Sequence, residues 1–353
     1  MFEQGVIRPP SEANSLLVRV TRNCPWNRCL FCPAYKGTKF SKRSLAEVKR
    51  DMDEMALYHG AYASEFTSAF LQDADSLILP TEELLEILKH LKDRFPGITR
   101  VTSYARAKSL KKKSVETLKA LKEAGLTRIH TGLESGSLKV LKLIQKGESP
   151  EDMIEGGRRV VEAGISLSEY IMPGLGGRDL SRENAVETAK VLNKIRPDFI
   201  RDRTFALPPM SPMKTMVSDG RFIPLCDLEI VQEIRLLLSL LDDMRSHFRC
   251  ADFSLNLLMY VDGVLKTDRL RMMEEMDRFL SLPELDQKAY VLLQRSGHYN
   301  LHPSDMLKNQ GVMTQLRGKV RDLESQNKTG FDRYIRAMMS SQLPRPQTDS
   351  WRG

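Results

Sequence analysis

Short runs of β-branched and apolar residues alternate with amphipathic helical stretches over the first 205 residues, and this alternation limits the possible folds most strongly. The predicted strands cover residues 15–22, 67–72, 98–104, 128–132, 166–172 and 198–205. The predicted helices lie near residues 42–58, 81–94, 109–124, 137–145 with 150–163, and 182–195. Alternating strands and helices require a parallel sheet with right-handed crossover connections.

Six strand–helix units predict an α/β fold, namely a partial (β/α)6 TIM-like barrel with its functional face at the carboxyl ends of the strands. We expect this barrel over residues 15–213, after an N-terminal extension of residues 1–14. The Pro-rich stretch LPPMSPM ends the alternation. Residues 214–345 are predicted to form a mainly helical C-terminal region, and the polar, Pro-rich residues 346–353 a disordered tail.

Composition narrows the class of protein. The chain has 353 residues, of which 41% are hydrophobic, as expected for a packed globular fold. No apolar run reaches the ~20 residues that a membrane helix needs, and the first residues do not resemble a secretory signal, so we expect a cytoplasmic protein without a membrane segment. The net charge of +8 is modest, and the basic run 106–113 is interpreted as a solvated surface.

Three of the five cysteines fall within the segment TRNCPWNRCLFCPAYKG, directly after the first predicted strand. Clustered cysteines in such a chain indicate metal binding or reactivity rather than a disulfide scaffold. A structural zinc site needs four protein ligands, whereas a [4Fe–4S] cluster held by Cys24, Cys29 and Cys32 would leave one iron open. From the spacing alone, an iron–sulfur cluster, a zinc site and unliganded thiols all remain open.

The same segment resembles the radical S-adenosylmethionine (SAM) superfamily, whose signature is usually C-x3-C-x2-C with an aromatic residue before the last cysteine. Phe31 supplies the aromatic residue, and the first gap here is four residues instead of three. Two further segments, GLESGSLKVLKLIQKG and YIMPGLGG, resemble the fourth-strand and fifth-strand motifs of the subgroup with coproporphyrinogen dehydrogenase, elongator-type enzymes and methylthiotransferases. The resemblance covers about residues 15–213.

The resemblance implies roles for individual residues. It implies that the three clustered cysteines bind a [4Fe–4S] cluster and that SAM binds beside it. The loop after the second strand reads FLQDADSLIL where the family usually has glycines, so the contact to the amino group of SAM is assigned to Asp73 or Asp75. The other positions predicted to contact SAM are Ser103 at the end of the third strand, Glu134 at the ribose hydroxyls, Lys146 at the methionine carboxylate and Met172 at the adenine.

Ordinary structural roles are also open for these positions. Asp73 and Asp75 could cap the following helix, and Glu134 could begin a helix whose caps are serines. Lys146 could be a solvated cation at a helix end, and Met172 could be a core residue. On the sixth predicted strand, Arg201 and Arg203 share one face because they are two residues apart, and they would hold an anionic substrate if that face points into the barrel.

The function implied by the resemblance is that of a radical SAM enzyme. Its [4Fe–4S] cluster would reductively cleave SAM to a 5′-deoxyadenosyl radical, which abstracts hydrogen from an unknown substrate. Flavodoxin or ferredoxin is the expected electron donor, and a small molecule, a peptide and RNA are all open as substrates. Two alternatives come from other classes: a zinc-stabilised nucleic-acid-binding protein, and an iron–sulfur electron carrier without SAM chemistry.

Overall fold

The computed structural model describes residues 2–250, 255–298, 302–327 and 329–343. Its strands are β1 Leu16–Arg19, β2 Thr21–Arg22, β3 Ser41–Lys42, β4 Ser68–Gln72, β5 Arg100–Ala105, β6 Leu126–Glu134, β7 Ser166–Ile171, β8 Phe199–Asp202, β9 His247–Arg249 and β10 Gly263–Val264. Its helices are α1 Leu45–His59, α2 Thr81–Arg94, α3 Ala107–Lys111, α4 Val115–Glu123, α5 Leu138–Leu143, α6 Pro150–Glu162, α7 Gly177–Ile195, α8 Met213–Ser218, α9 Asp227–Leu240, α10 Leu265–Leu280, α11 Glu284–Arg295, α12 Pro303–Lys308, α13 Gln310–Gln326 and α14 Gly330–Ser341.

The main sheet follows the order β1-β4-β5-β6-β7-β8-β9-β10. Each neighbouring pair is parallel except the last, in which β10 runs antiparallel to β9. This arrangement confirms the predicted α/β fold, in which an open parallel sheet forms a partial barrel. The region after residue 213 is mainly helical, as expected, but it also adds the short strands β9 and β10 to the edge of the sheet.

The helices pack on the outer face of the sheet through their apolar sides. In α2, Leu84, Leu88 and Leu91 recur with helical spacing and are all buried in the main hydrophobic core. Gly125 after α4 and Gly164 after α6 have φ angles of +118° and +72°. Both glycines therefore adopt the left-handed conformation that the sequence predicts where a helix turns into the next strand.

The N-terminal segment of residues 2–14 lies along the inner side of the sheet near β4 and β5. The backbone N–H of Gly5 donates to Oε1 of Gln72 at 2.9 Å, and Nε2 of Gln72 donates to the carbonyl of Ile7 at 3.1 Å. Glu12 is buried and forms an ion pair of 2.8 Å with Arg100. This segment therefore forms part of the wall of the barrel interior.

Helices α8 to α14 form the C-terminal region, where α9 packs on both α7 and α10. The predicted tail at residues 346–353 lies outside the described residues. Within the described ranges, every helix is too short or too polar to cross a membrane.

Candidate active site

A cavity of about 260 Å³ opens at the carboxyl ends of the parallel strands. Functional sites of parallel barrels lie at this end, because the loops that follow the strands meet there. The wall of the cavity combines the N-terminal segment, the loop between β2 and β3, the ends of the strands and the loop between α5 and α6. The lining side chains that bear on function are Arg8, Cys24, Cys29, Phe31, Cys32, Tyr35, Tyr104, Arg106, Glu134, Lys146, Tyr170, Met172, Arg201, Arg203 and Arg249.

The three clustered cysteines lie on the loop between β2 and β3, and all of them line the cavity. The side chain of Asn27 folds this loop by donating to the carbonyl oxygens of Tyr35 at 2.6 Å and Thr38 at 3.2 Å. Asn27 also has a φ angle of +47°, a left-handed conformation that Asn tolerates better than most residues. The segment that carries the three cysteines is thus a compact loop, and its thiols all line the same cavity.

Trp26 connects the cysteine loop to the loop between α5 and α6 through a hydrogen bond and a packing contact. Its indole Nε1 donates to the carbonyl of Gln145 at 2.7 Å. A Cβ atom on Gly147 would lie 2.3 Å from the indole ring, so the close contact requires glycine, which also has a φ of +73°. Lys146 lies between Gln145 and Gly147 in the chain. The two contacts of Trp26 therefore hold Lys146 next to the thiols.

The donor set fits an iron–sulfur cluster. Burial raises the pKa of the Cys29 thiol to about 12, against the opposing charge of Lys146, and burial also raises the pKa of Cys32. Such thiols become thiolates when a metal centre compensates their charge. Three sulfur donors on one loop, with no fourth cysteine lining the same cavity in the described ranges, match a [4Fe–4S] cluster with one open iron. Among the described residues, no group of three or more His, Cys, Asp or Glu side chains is arranged around a single metal-ion position.

Glu134, Lys146 and Met172 meet at the same cavity as the cysteines. Nζ of Lys146 lies 3.1 Å from Oε1 of Glu134 and 3.9 Å from the buried carboxylate of Glu148. Burial alone would lower the pKa of Lys146, but these two carboxylates outweigh it and hold the pKa above its usual value. The backbone N–H of Met172 donates to the carbonyl of Glu134 at 2.9 Å, and both residues line the cavity.

Glu134 stands at the end of β6 with a φ angle of +61°, in the left-handed region that a residue with a side chain seldom adopts. Strained backbone of this kind is concentrated at functional sites, where the surrounding structure enforces it. The unusual conformation directs the carboxylate to Lys146. Ser137 does cap α5, as the ordinary role of this segment predicts, whereas Lys146 is buried and is not a solvated cation.

The structure places Asp73 and Asp75 away from the cavity wall. Asp73 is fully buried, and its Oδ2 accepts hydrogen bonds from Arg19 at 2.6 Å and from the backbone N–H of Asn23 at 2.9 Å. Asp75 accepts from Ser109 at 2.6 Å and from the backbone N–H of Arg106 at 3.2 Å, at the start of α3. Both carboxylates are thus occupied by protein donors, and the described residue of this loop that lines the cavity is the intervening Ala74.

Ser103 also lies away from the described lining of the cavity. Its hydroxyl donates to the carbonyl of Tyr104 at 2.9 Å, and its side chain is buried. Tyr104, the next residue of β5, lines the cavity instead. Because successive side chains of a strand point to opposite faces, an assignment displaced by one residue selects the wrong face.

Arginines line the part of the cavity formed by the last parallel strands. Arg201 and Arg203 of β8 and its following loop both reach the cavity, so the face they share does point into the barrel. Arg249 of β9 and Arg8 of the N-terminal segment join them. No sequence pattern indicates the last two, because β9 has three residues and Arg8 lies in a segment without periodicity.

Comparison with known families places this site in context. Residues 18–189 match the family model described as the Radical SAM superfamily. The match includes the three clustered cysteines, Glu134, Lys146 and Met172, and it confirms the resemblance that the sequence motifs carry. The members of this superfamily use a [4Fe–4S] cluster and SAM.

Two curated proteins and one solved structure illustrate the similarity. An uncharacterized methyltransferase of Pyrococcus horikoshii is 28% identical over 185 residues, which are 52% of this chain and 38% of that protein. The 4′-phospho-dehydrooxetanocin synthase of Priestia megaterium is 28% identical over 213 residues, which are 54% of this chain and 28% of that protein. The structure of coproporphyrinogen III oxidase from Escherichia coli, described as a radical SAM enzyme, is 19% identical, with a TM-score of 0.47 and coverage of 64% of this chain and 52% of that one. The chain thus spans well under half the length of both curated relatives.

Proposed function

We propose, from the membership of residues 18–189 in the radical SAM superfamily, that this protein is a radical SAM enzyme. The observation that carries the proposal is the convergence of Cys24, Cys29 and Cys32 with Glu134 and Lys146 on one cavity. We place the SAM-cleaving unit at residues 15–213, with residues 1–14 as an N-terminal extension that completes its wall. Residues 214–345 then form a C-terminal region that packs beside it.

Different residues of the cavity bind the cluster and the separate groups of SAM. Cys24, Cys29 and Cys32 hold the [4Fe–4S] cluster as thiolates. Lys146 keeps its proton, because the neighbouring carboxylates raise its pKa, and offers a cation to the carboxylate of SAM. Glu134 accepts from the ribose hydroxyls. Met172 packs against the adenine, and the loop around Ala74 meets the amino group.

When bound and reduced, the cluster supplies the electron that splits SAM into methionine and a 5′-deoxyadenosyl radical able to abstract hydrogen from a substrate. The chain contributes orientation and an enclosed site. Tyr104, Tyr170 and Phe31 line the cavity with aromatic surface, which limits the access of water to reactive species.

Radical SAM enzymes need a reductant and a substrate. We propose flavodoxin or ferredoxin as the one-electron donor and the cytoplasm as the compartment. Five free cysteines and a cluster that must be reduced both fit a reducing compartment. A small molecule, a peptide and RNA are the candidate classes of substrate. The relatives named above have low sequence identity and are much longer than the matched region, so they do not select among these classes.

The proposal is tested by anaerobic reconstitution of the full chain with iron and sulfide. We expect about four irons per chain and, after addition of dithionite and SAM, the accumulation of 5′-deoxyadenosine. Replacement of Cys24, Cys29 or Cys32 by Ala is expected to abolish both. Cys226→Ala is the matched control, because Cys226 precedes α9 outside this cavity, and it is expected to retain cluster and product.

Two results would overturn the proposal. A colourless protein with one zinc per chain would favour the nucleic-acid-binding alternative. An intact cluster that forms no 5′-deoxyadenosine and does not bind SAM would favour the electron carrier.

A further inference from the structure

Four arginines line the cavity on the side formed by β8, β9 and the N-terminal segment. This arginine cluster consists of Arg8, Arg201, Arg203 and Arg249. Its members come from three separate parts of the chain, so the fold rather than local sequence brings them together. None of them is assigned to the iron–sulfur cluster or to SAM.

The register of the sheet places like charges side by side. Arg201 of β8 is the direct partner of Arg249 of β9 and, on its other side, of Tyr170 of β7. Like charges directly opposite one another destabilise a sheet, because their repulsion is not offset by packing. A pair of arginines at this position is therefore unfavourable for folding unless carboxylates of the protein or another anion compensate both charges.

Protein groups compensate only part of this charge. Nε of Arg201 donates to the neutral hydroxyl of Ser168 at 2.8 Å, and within the described ranges no carboxylate forms an ion pair with Arg201. Arg249 has Asp262 at 3.3 Å and remains 38% exposed. Of the two described carboxylates in the cavity lining, Glu134 is paired with Lys146, and Asp202 accepts from the thiol of Cys250 at 3.1 Å.

SAM and the iron–sulfur cluster would not neutralise the arginine cluster either. Three thiolates give an oxidised [4Fe–4S] centre one net negative charge, and the sulfonium gives zwitterionic SAM one net positive charge. Together they add no net charge to the cavity. The charge of Arg201, which has no carboxylate partner among the described residues, is therefore left for another ligand.

We propose that the arginine cluster binds the phosphate group of a small phosphorylated substrate. This inference rests on the proposed function and narrows its substrate class. A single carboxylate is satisfied by one bidentate guanidinium, whereas a phosphate presents three acceptor oxygens that several arginines can share. Arg201 and Arg203 line the same cavity as the thiols, at the carboxyl end of β8, which favours a small molecule over RNA. Binding there would hold the rest of the substrate in the cavity that the thiols also line.

The test is isothermal titration of the full chain with inorganic phosphate, inorganic pyrophosphate, citrate and a single-stranded oligoribonucleotide. The variants are Arg201→Gln, Arg249→Gln and the double variant, and Arg201→Lys keeps the charge without the planar fork. Arg221→Gln is the matched control, because Arg221 is exposed and pairs only locally with Asp219 among the described residues. Thermal unfolding of each variant verifies that the fold is retained.

We expect pyrophosphate to bind more tightly than citrate. Each single Gln variant should weaken binding about tenfold or more, consistent with the loss of charged hydrogen bonds, and the double variant should abolish it. The affinity of Arg201→Lys should lie between those of the unmodified chain and Arg201→Gln. The affinity of the control Arg221→Gln should equal that of the unmodified chain. Equal binding by the double variant, tighter binding of citrate, or binding of the oligoribonucleotide alone would each overturn the proposal.

The titration needs no iron–sulfur cluster, so its outcome is separate from that of the proposed function. Phosphate binding by a chain that never assembles a cluster would leave the anion site standing and remove the SAM chemistry. A chain that forms 5′-deoxyadenosine but binds none of the anions would support the SAM chemistry and overturn the anion site.

Discussion

Gly132 shows how a single missing side chain makes room for the site. It lines the cavity on β6, and a Cβ atom there would lie 2.1 Å from Oε1 of Glu134 and 3.0 Å from Nζ of Lys146. The glycine therefore permits the ion pair to lie flat against the strand. Its φ angle is not in the left-handed region, so the requirement comes from space and not from backbone strain.

Replacement of Gly132 by Ala is expected to displace the flexible end of Glu134 from Lys146. We expect the affinity for SAM to fall by about tenfold or more, because a charged hydrogen bond is lost, while the cluster content stays unchanged. The measurement is titration of SAM into the reconstituted variant. Gly318→Ala is the matched control, since no atom lies within 4 Å of the added Cβ. Unchanged SAM affinity in Gly132→Ala would contradict the assignment of this ion pair to the SAM site.

Some of the residues predicted from the sequence line the cavity and others do not, for a physical reason. Cys24, Glu134 and Met172 follow strand ends within local motifs, so their position depends only on short-range structure. The ion pair of Asp73 with Arg19 joins residues that are 54 positions apart, and no local pattern reports it. The orientation of Ser103 depends on the exact phase of a strand, which a predicted boundary does not fix.

At the scale of elements, α9 anchors the loop that follows β7. Glu233 of α9 is buried and accepts hydrogen bonds from the backbone N–H of Gly174 at 3.0 Å, from Asn184 at 2.7 Å and from Ser181 at 2.5 Å. Gly174 belongs to the YIMPGLGG segment that also carries Met172. One carboxyl group thus joins α7, α9 and the loop beside the cavity.

This anchor predicts a pH dependence of stability. Burial raises the pKa of Glu233 from 4.5 to about 7, although hydrogen bonds from Ser181, Gly174 and Asn184 favour the charged form. The folded state therefore holds a proton that the unfolded state releases between these pH values. The free energy of unfolding should fall as pH rises through this window, by up to about 3 kcal/mol for this group.

Denaturant unfolding at pH 5 and pH 8 tests this prediction with the variant Glu233→Gln, whose side chain does not titrate. The free energy of unfolding of the unmodified chain, minus that of the variant, should be smaller at pH 8 than at pH 5. Burial also raises the pKa of Asp75 and Glu169 to about 7, but both groups are present in the two proteins and cancel in the difference. A difference that is the same at both pH values would show that Glu233 does not carry the effect.

The strands and helices themselves were largely predictable. Each of the six predicted strands corresponds to a strand of the main sheet, because a buried parallel strand leaves a run of apolar residues and the following helix leaves a 3.6-residue period. β9 and β10 were not predicted, since three-residue and two-residue strands are too short to show any period. Their pairing is decided by tertiary contacts at the edge of the sheet.

In the whole molecule, the N-terminal segment and the C-terminal region both contribute to the barrel. Glu12 ties the N-terminal segment to β5 and β6 through Arg100 at 2.8 Å and His130 at 3.5 Å. Burial opposes ionisation of Glu12, but hydrogen bonds from Arg100 and Ser15 lower its pKa to about 2. β9 then extends the sheet from the other end with Arg249. Segments outside residues 18–189, the region that matches the family model, thus extend the partial barrel.

The proposed SAM site requires that the three cysteines leave one iron of the cluster free to bind SAM. The most direct measurement is electron–nuclear double resonance on the dithionite-reduced, reconstituted protein with SAM labelled by ¹⁵N at its amino group and ¹⁷O at its carboxylate. We expect couplings from both labels to the cluster, and we expect them to be lost in Cys24→Ala but not in Cys226→Ala. A reduced [4Fe–4S] signal that shows no coupling to either label, or a signal that persists in all three cysteine variants, would contradict it.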